Sequence, residues 1–272
     1  MKIKAIHSRD ATYQKFEVLK TNRNKRYKYG EFFVEGVRNI NEAIRHGWRF
    51  SSLLFDAERP LSGWAEEILR TVKTDVNYAL DAGLMAELSG KENASEMVAV
   101  VRMREEDLGS LPLSDNPFIV LFDRPSNRGN LGTILRSCDS FGVDGLLLTG
   151  HAVDLYDPEV IGASMGSFFG VQARRVPGND AVFAYVESLR AAYPGFQVVG
   201  TTAHHETPLI HVDFTRPTLL LIGNETDGLS RTFKECSDIL TTIPMSAHSG
   251  ASSLNVGCAA TVFLYEAMRQ RG

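Results

Sequence analysis

The stretch FIVLFDRPSNRGNLGTILR (118–136) joins two kinds of periodicity. Phe118 to Phe122 is an unbroken apolar run that stops at Asp123, whereas Leu131, Ile134 and Leu135 fall at helical spacing. Between them lies Pro125-Ser126-Asn127-Arg128-Gly129-Asn130, a string of turn formers. The pattern predicts a buried strand, a polar loop and a helix. Asn127, Arg128 and Asn130 then sit at the strand's carboxyl end, where open α/β sheets place ligands, and Arg136 follows about two turns along the helix. An ordinary βα connection with a well-capped helix gives the same pattern, so the neighbouring strand ends must decide between a connection and a site.

Downstream, short apolar runs recur at 145–148, 196–200, 218–222 and 239–243, and helical patterns fill 131–141, 159–169, 182–193, 231–236 and 253–269. Alternating β and α predicts a parallel sheet with crossover helices. Two more polar segments fall at strand ends. Leu219 to Ile222 runs into Gly223-Asn224-Glu225-Thr226-Asp227-Gly228, whose glycines allow close backbone approach and whose Glu225 offers a carboxylate. The 239–243 run leads through Pro244-Met245 and a loop of small residues to Ser253-Leu254-Asn255-Val256, with Ser253 the expected N-cap of a long apolar helix. Three such loops, with Arg, Glu, Ser and Asn side chains free to converge, favour a site.

Upstream, REEDLGSLPLSDNP after Met103 has neither periodicity, which predicts domains at 1–104 and 118–272 joined by a linker at 105–117. The first domain is a small α/β unit: Phe32-Phe33-Val34, Leu53-Leu54-Phe55 and 97–101 read as strands, among helical patterns such as 64–69. The formal net charge of −4 conceals a polarity, because residues 1–50 hold 12 Lys+Arg against 5 Asp+Glu. Basic density peaks at 20–29, where Lys20, Arg23, Lys25, Arg26 and Lys28 alternate with amides and two tyrosines. Phosphates would take the cations while unpaired bases stack on the rings; a solvated helix face is the competing account.

Several chemistries lack parts. No GxGxxG follows a strand, and neither GxxxxGK[ST] nor GxSxG occurs. Cys138, Cys236 and Cys258 are widely spaced, which argues against a disulfide framework or a cysteine zinc site. His204-His205-Glu206 has no helical His-x3-His partner and reads as a polar loop, so no metal is expected. No apolar run approaches the roughly 20 residues of a membrane span, and no signal-peptide core is present, so a cytoplasmic protein is expected.

The segments NRGNLGTILRS (127–137), LIGNETDGLS (221–230) and IPM followed by SSLNV (243–256) resemble, in order, the three motifs of the SpoU/TrmH family of RNA ribose 2′-O-methyltransferases in the SPOUT superfamily. FFVEGVRNINEAI and LSGKENASEMVAVV in the front domain resemble the L30e-like RNA substrate-binding domain that many members carry. The resemblance implies a C-terminal parallel-sheet domain threaded as a trefoil knot, a homodimer, and S-adenosylmethionine as cofactor. It implies methyl transfer to a ribose 2′-hydroxyl, with large-subunit rRNA favoured over tRNA; the alternative is a non-catalytic RNA-binding or ribosome-assembly protein on the same fold. On the matching positions, Asn130, Arg136, Glu225, Ser253 and Asn255 are the expected catalytic residues. Thr201, Thr202, Gly223, Asn224, Gly228, Ile243, Met245 and Leu254 are expected to hold the cofactor. Arg128 joins Lys20, Arg23, Lys25, Arg26 and Lys28 as an expected RNA contact, so substituting Lys25 and Arg26 should flatten the salt dependence of binding.

Overall fold

The computed structural model describes residues 2–89, 93–104, 107–150, 153–204 and 206–272. Of the stretches above, Gly90 to Glu92, Glu105, Glu106 and His205 lie outside the described residues. The chain divides into two compact units, Met1–Glu105 with Asp154–Gly170, and Glu106–Val153 with Val171–Gly272.

The first unit runs β1 (Ile3–Ile6), α1 (Ala11–Thr21), α2 (Arg23–Tyr29), β2 (Glu31–Glu35), α3 (Val37–Arg45), β3 (Phe50–Asp56), α4 (Gly63–Thr71), β4 (Asn77–Leu80), α5 (Ala82–Ser89) and β5 (Met97–Arg102). Its sheet has the order β1-β4-β3-β5-β2, with β5 antiparallel to both of its neighbours. Phe33, Leu54, Val98 and Val100 face Tyr13, Phe16 and Leu19 of α1 and Met85 and Leu88 of α5. The basic stretch is helical on both sides of a corner: Asn22 ends α1, and its side chain accepts from Lys25 N–H at 3.1 Å to cap α2. Gly30, at φ 63°, closes α2 in the left-handed conformation glycine adopts without strain.

In the second unit β6 (Phe118–Phe122), α6 (Arg128–Ser140) and β7 (Gly145–Leu148) come first. Helix α7 (Pro158–Ser164) falls in the first unit, and the chain continues with β8 (Ala173–Arg175), α8 (Asn179–Ala192), β9 (Gln197–Thr201), β10 (Thr207–Pro208), β11 (Thr218–Ile222), α9 (Arg231–Cys236), β12 (Ile239–Thr242) and α10 (Val256–Arg271). Every pairing in the seven-stranded sheet is parallel, in the order β10-β12-β9-β11-β6-β7-β8. All residues of the central strands β6 and β11 are buried, which is why they read as continuous apolar runs and not as alternation. Ile119, Leu121, Val198, Leu219 and Leu221 form a core with Val182, Val186 and Leu189 of α8 and Phe233 of α9. Helices α6 and α10 lie side by side. The Ser137 and Thr261 hydroxyls are 2.7 Å apart, and a Cβ on Gly257 would press on Thr133 Cγ2.

The segment Asp154–Gly170, which the sequence pattern places inside the second domain, belongs to the first unit. The predicted 159–169 helix breaks at Met165 (φ 52°) and Gly166 (φ 97°), which turn the chain so that Phe168 and Phe169 meet Phe32 and Trp48. Trp48 Nε1–H donates to the Phe169 carbonyl at 2.9 Å. Two expected RNA contacts are corrected by this unit. Arg26 is 2% exposed; its Nε donates to Asp154 Oδ2 at 2.7 Å, and its Nη1 donates to the Leu19 and Lys20 carbonyls. Lys20 Nζ donates to the carbonyls of Leu88 and Ser89 at the end of α5. A guanidinium without solvent access meets no phosphate, and the ammonium of Lys20 is spent on orphan helix carbonyls. Lys28 is exposed, Lys25 is partly buried, and Arg23 lies 5.8 Å from the Tyr27 ring centre.

Candidate active site

At the carboxyl ends of β9, β11 and β12 the second unit forms a cavity of about 580 Å³. Its polar side is formed by Thr201 and Thr202 after β9 and by Gly223, Asn224, Glu225 and Gly228 after β11. Its other side is Ile243, Met245, Ser253 and Leu254, backed by Val256, Ala259 and Phe263 of α10. All eight residues expected to hold the cofactor therefore line one space. Thr201 Oγ1 donates to the Leu221 carbonyl at 2.9 Å, which ties β9 to β11 beside it.

The loop after β11 is a closed turn. Asn224 and Gly228 exchange backbone hydrogen bonds at 3.0 Å, and Asn224 Oδ1 accepts from Thr226 and Asp227 N–H. Gly223 permits this turn because a Cβ there would fall on Leu229 N and the Gly228 carbonyl carbon. Arg124 grips the turn from outside: its carbonyl accepts from Asn224 Nδ2 at 2.7 Å and its Nη2 donates to the Gly228 carbonyl at 3.2 Å. Asp123, 1% exposed, takes hydrogen bonds from the Arg124 guanidinium, the Thr149 hydroxyl and Ser230 N–H.

Glu225 links this turn to the first motif. Its carboxylate accepts from Ser126 N–H (2.9 Å) and Oγ–H (2.7 Å), Asn127 N–H (3.0 Å) and Asn130 Nδ2 (3.3 Å). Burial pushes the carboxyl up, but the hydrogen bonds from Ser126, its own backbone N–H and Asn127 N–H outweigh it and hold Glu225 below its ordinary range. Asn130 passes the connection on, since its Oδ1 accepts from Asn255 Nδ2 at 3.1 Å. Asn255 is also the cap of α10, with Oδ1 accepting from Gly257 N–H (2.9 Å) and Cys258 N–H (3.3 Å). Ser253, the expected cap, instead lies exposed at the cavity two residues before it.

Glu225, Asn130 and Asn255 thus form one hydrogen-bonded chain across the three loops. Arg136 stands apart, exposed on α6, with no hydrogen bond or ion pair among the described residues. Arg128, in the first turn of α6, is exposed. Ser126, Asp123 and Arg124 escape the sequence reading, because a serine and an Asp-Arg pair at a turn are ordinary there and their partners lie about 100 residues away. Among the described residues no cluster of three or more His, Cys, Asp or Glu is placed to hold a metal ion. No described helix is long and apolar enough to cross a membrane.

Comparison with known proteins matches residues 117–265 to the SpoU rRNA Methylase family and residues 10–99 to the SpoU L30e-like domain. The chain belongs to the SpoU rRNA methylase family. Among SpoU relatives, it is 48% identical over 98% of its length, and 92% of the other's, to the 23S rRNA (uridine(2479)-2′-O)-methyltransferase of Streptomyces viridochromogenes. It is 25% identical to the 23S rRNA (guanosine(2553)-2′-O)-methyltransferase RlmP of Bacillus subtilis, over 89% of this chain and 90% of that one. The crystal structure of the SpoU methyltransferase AviRb from Streptomyces viridochromogenes, in complex with the cofactor AdoMet, superimposes with a TM-score of 0.91 at 47% identity, covering 97% of this chain and 98% of that chain. The loops described above, at the carboxyl ends of β6, β11 and β12, are the three segments that carry the SpoU resemblance.

Proposed function

We infer that this protein is an S-adenosylmethionine-dependent methyltransferase acting on a ribose 2′-hydroxyl of large-subunit (23S-type) rRNA. The observation that carries the reading is the Glu225–Asn130–Asn255 chain, which draws all three motif loops together and joins the cavity through Glu225. The 23S rRNA activity of two relatives matched along most of the chain supports the substrate, and an rRNA substrate supports a cytoplasmic enzyme.

The cavity fits the cofactor. Its volume lies within the roughly 300–1,000 Å³ of small-molecule sites. Leu254, Val256 and Phe263 offer an apolar wall for an adenine, and the Thr201, Thr202 and Gly223–Gly228 backbone and hydroxyl groups offer donors and acceptors for the ribose and amino-acid ends. The absence of a side chain at Gly223 leaves that backbone bare to the ligand. S-adenosylmethionine supplies a methyl group already activated on a sulfonium, so the protein's task is alignment, worth roughly 7–11 kcal/mol of barrier.

In this mechanism Glu225 fixes the first two motif loops against each other, and Asn130 and Asn255 hold the start of α10 in register with them. Arg136 engages the target phosphate and stabilises charge developing on the 2′-oxygen; a guanidinium is a donor without an acceptor and makes a poor base. The proton passes to the RNA phosphate or to water. Cys258, Val262 and Tyr265 form an exposed stripe at positions i, i+4 and i+7 of α10, and Tyr265 also lies 6.1 Å from Phe141. An apolar stripe of this kind supports a homodimer through α10; Tyr265→Asp should yield monomers in sedimentation analysis, and an unchanged mass would place the interface elsewhere.

The deciding experiment is transfer of label from radiolabelled S-adenosylmethionine to unmodified total RNA, separated by size, with Arg136→Ala alongside. Label in large-subunit rRNA that is lost in the variant is expected. Label in tRNA would overturn the substrate, and wild-type transfer by Arg136→Ala would overturn the role of that arginine.

A further inference from the structure

Asp123 and Arg124 follow β6 and lie outside the cavity lining, yet both are bonded to the segment that forms one side of it. Arg124 has φ 52°, a left-handed backbone that a long side chain adopts only where its surroundings impose it. Three sets of contacts impose it here. The Arg124 N–H donates to Thr149 Oγ1 at 3.2 Å, and that hydroxyl donates to Asp123 Oδ1 at 2.9 Å. The Arg124 carbonyl accepts from Asn224 Nδ2 at 2.7 Å. Its guanidinium lies along the Asp123 carboxylate, Nε donating to Oδ1 at 3.2 Å and Nη2 to Oδ2 at 3.1 Å, and Nη2 reaches on to the Gly228 carbonyl at 3.2 Å. Gly150 leaves room for this side chain, since a Cβ there would fall 2.8 Å from Arg124 Cγ. Asn224 and Gly228 are the two ends of one turn, so a single residue holds one end with its main chain and the other with its side chain. Asp123 ties down the exit as well, its Oδ2 accepting from Ser230 N–H at 2.9 Å.

We propose that Arg124 is a positioning residue for S-adenosylmethionine: it holds the 224–228 turn closed before the cofactor arrives, and so sets cofactor affinity without lining the cavity. The proposal rests on the methyltransferase reading above and names the residue that presets its cofactor site. Gly223 and Gly228 at the ends of this turn have more backbone freedom to lose than other residues, so the turn's own 3.0 Å Asn224–Gly228 hydrogen bonds close it against an entropic cost. Arg124 offsets that cost from outside. A ligand that binds only the closed turn has its apparent affinity reduced by the fraction of time the turn is closed. In Arg124→Ala the Gly228 carbonyl loses the guanidinium, and the Asp123 carboxylate keeps its Thr149 and Ser230 donors but loses the cation beside it.

The test compares the wild type, Arg124→Ala and Asp123→Asn/Arg124→Ala by S-adenosylmethionine titration calorimetry, thermal melting, steady-state kinetics, and amide exchange at Gly228 in the cofactor-free protein. Arg124→Ala should raise the dissociation constant for S-adenosylmethionine about tenfold, the loss expected for a hydrogen bond from a charged donor. Its KM for S-adenosylmethionine should rise by the same factor, with kcat at saturating cofactor changed far less. Exchange protection at Gly228 should fall in step, because that N–H bonds the Asn224 carbonyl only in the closed turn. The double variant separates positioning from charge balance. An amide in place of the Asp123 carboxylate still accepts from Ser230 N–H and removes the unbalanced charge, so thermal stability should recover while cofactor binding stays weak. Where Arg124→Ala alone does not fold, the double variant carries the test. Wild-type affinity in Arg124→Ala overturns the proposal, and so does affinity restored together with stability in the double variant, which would make Arg124 only the counter-charge of Asp123. A wild type that binds no S-adenosylmethionine overturns the methyltransferase reading instead.

Discussion

Replacing Arg26 by alanine separates two accounts of the basic stretch at 20–29. The Arg26 and Asp154 side chains are 2% and 4% exposed, with Nε and Oδ2 2.7 Å apart. Without the guanidinium, Asp154 keeps the Tyr27 hydroxyl (3.1 Å) and Tyr156 N–H (3.3 Å) but no cation to balance its charge among the described residues, and the Leu19 and Lys20 carbonyls lose a donor. Breaking a buried pair from one side costs about 3–5 kcal/mol, because the remaining charge stays buried and uncompensated. For a unit of this size that lowers the melting temperature by roughly 10–20 °C, readable by calorimetry. The segment Asp154–Gly170 should lose amide-exchange protection at the same time, since Asp154 is its first anchor on the unit. Arg26→Met combined with Asp154→Leu should recover most of the loss, because an apolar pair of similar volume removes both desolvated charges together. A stable Arg26→Ala protein whose RNA-binding salt slope falls by roughly 0.7–0.9 would refute the reasoning, since it would put the guanidinium on phosphate.

The candidate active site yields further expectations. Asn130→Ala and Asn255→Ala should each lower methyl transfer by about 100-fold through misplacement of the motif loops, and the double variant should fall by less than the product of the two because each single change already breaks the hydrogen bond they share; fully multiplicative losses in steady-state kinetics would show that this bond is not what couples the loops. Gly223→Ala should weaken S-adenosylmethionine binding by more than about tenfold in titration calorimetry, since the new methyl falls on the turn's own backbone; wild-type affinity would mean the turn opens freely. Glu225, held below its ordinary pKa despite burial, stabilises the loops fully above the unfolded carboxyl value of about 4.3, and that stabilisation is lost as pH falls through the lower folded value. Glu225→Gln should therefore be less stable than the wild type at neutral pH and the difference should shrink in acid, as urea melts at a series of pH values would reveal; a constant difference would remove the charge from the account.

The central strands were legible because a strand buried on both faces has to be apolar throughout, and β6 and β11 coincide with the runs read at 118–122 and 218–222. The loops that follow them were legible for a related reason, since polar and glycine residues have no other reason to interrupt such runs. β8 and β10, at three and two residues, are too short to carry a period. The cap of α10 shifted from Ser253 to Asn255 because both are good caps, and the choice depends on Asn130, whose Oδ1 draws the Asn255 side chain into place.

By itself, the sequence determined what each segment does locally: which runs are strands or helices, where the chain turns, and which three loops carry the motifs. Only the tertiary structure decided the partners. It assigned Asp154–Gly170 to the first unit, turned Arg26 from a surface cation into half of a buried pair, joined Glu225 to Asn130 and Asn255, and left Arg136 exposed. Period and turn chemistry are fixed by neighbours a few residues away, whereas the burial and charge state of a polar side chain depend on a partner such as Asp154, 128 residues from Arg26.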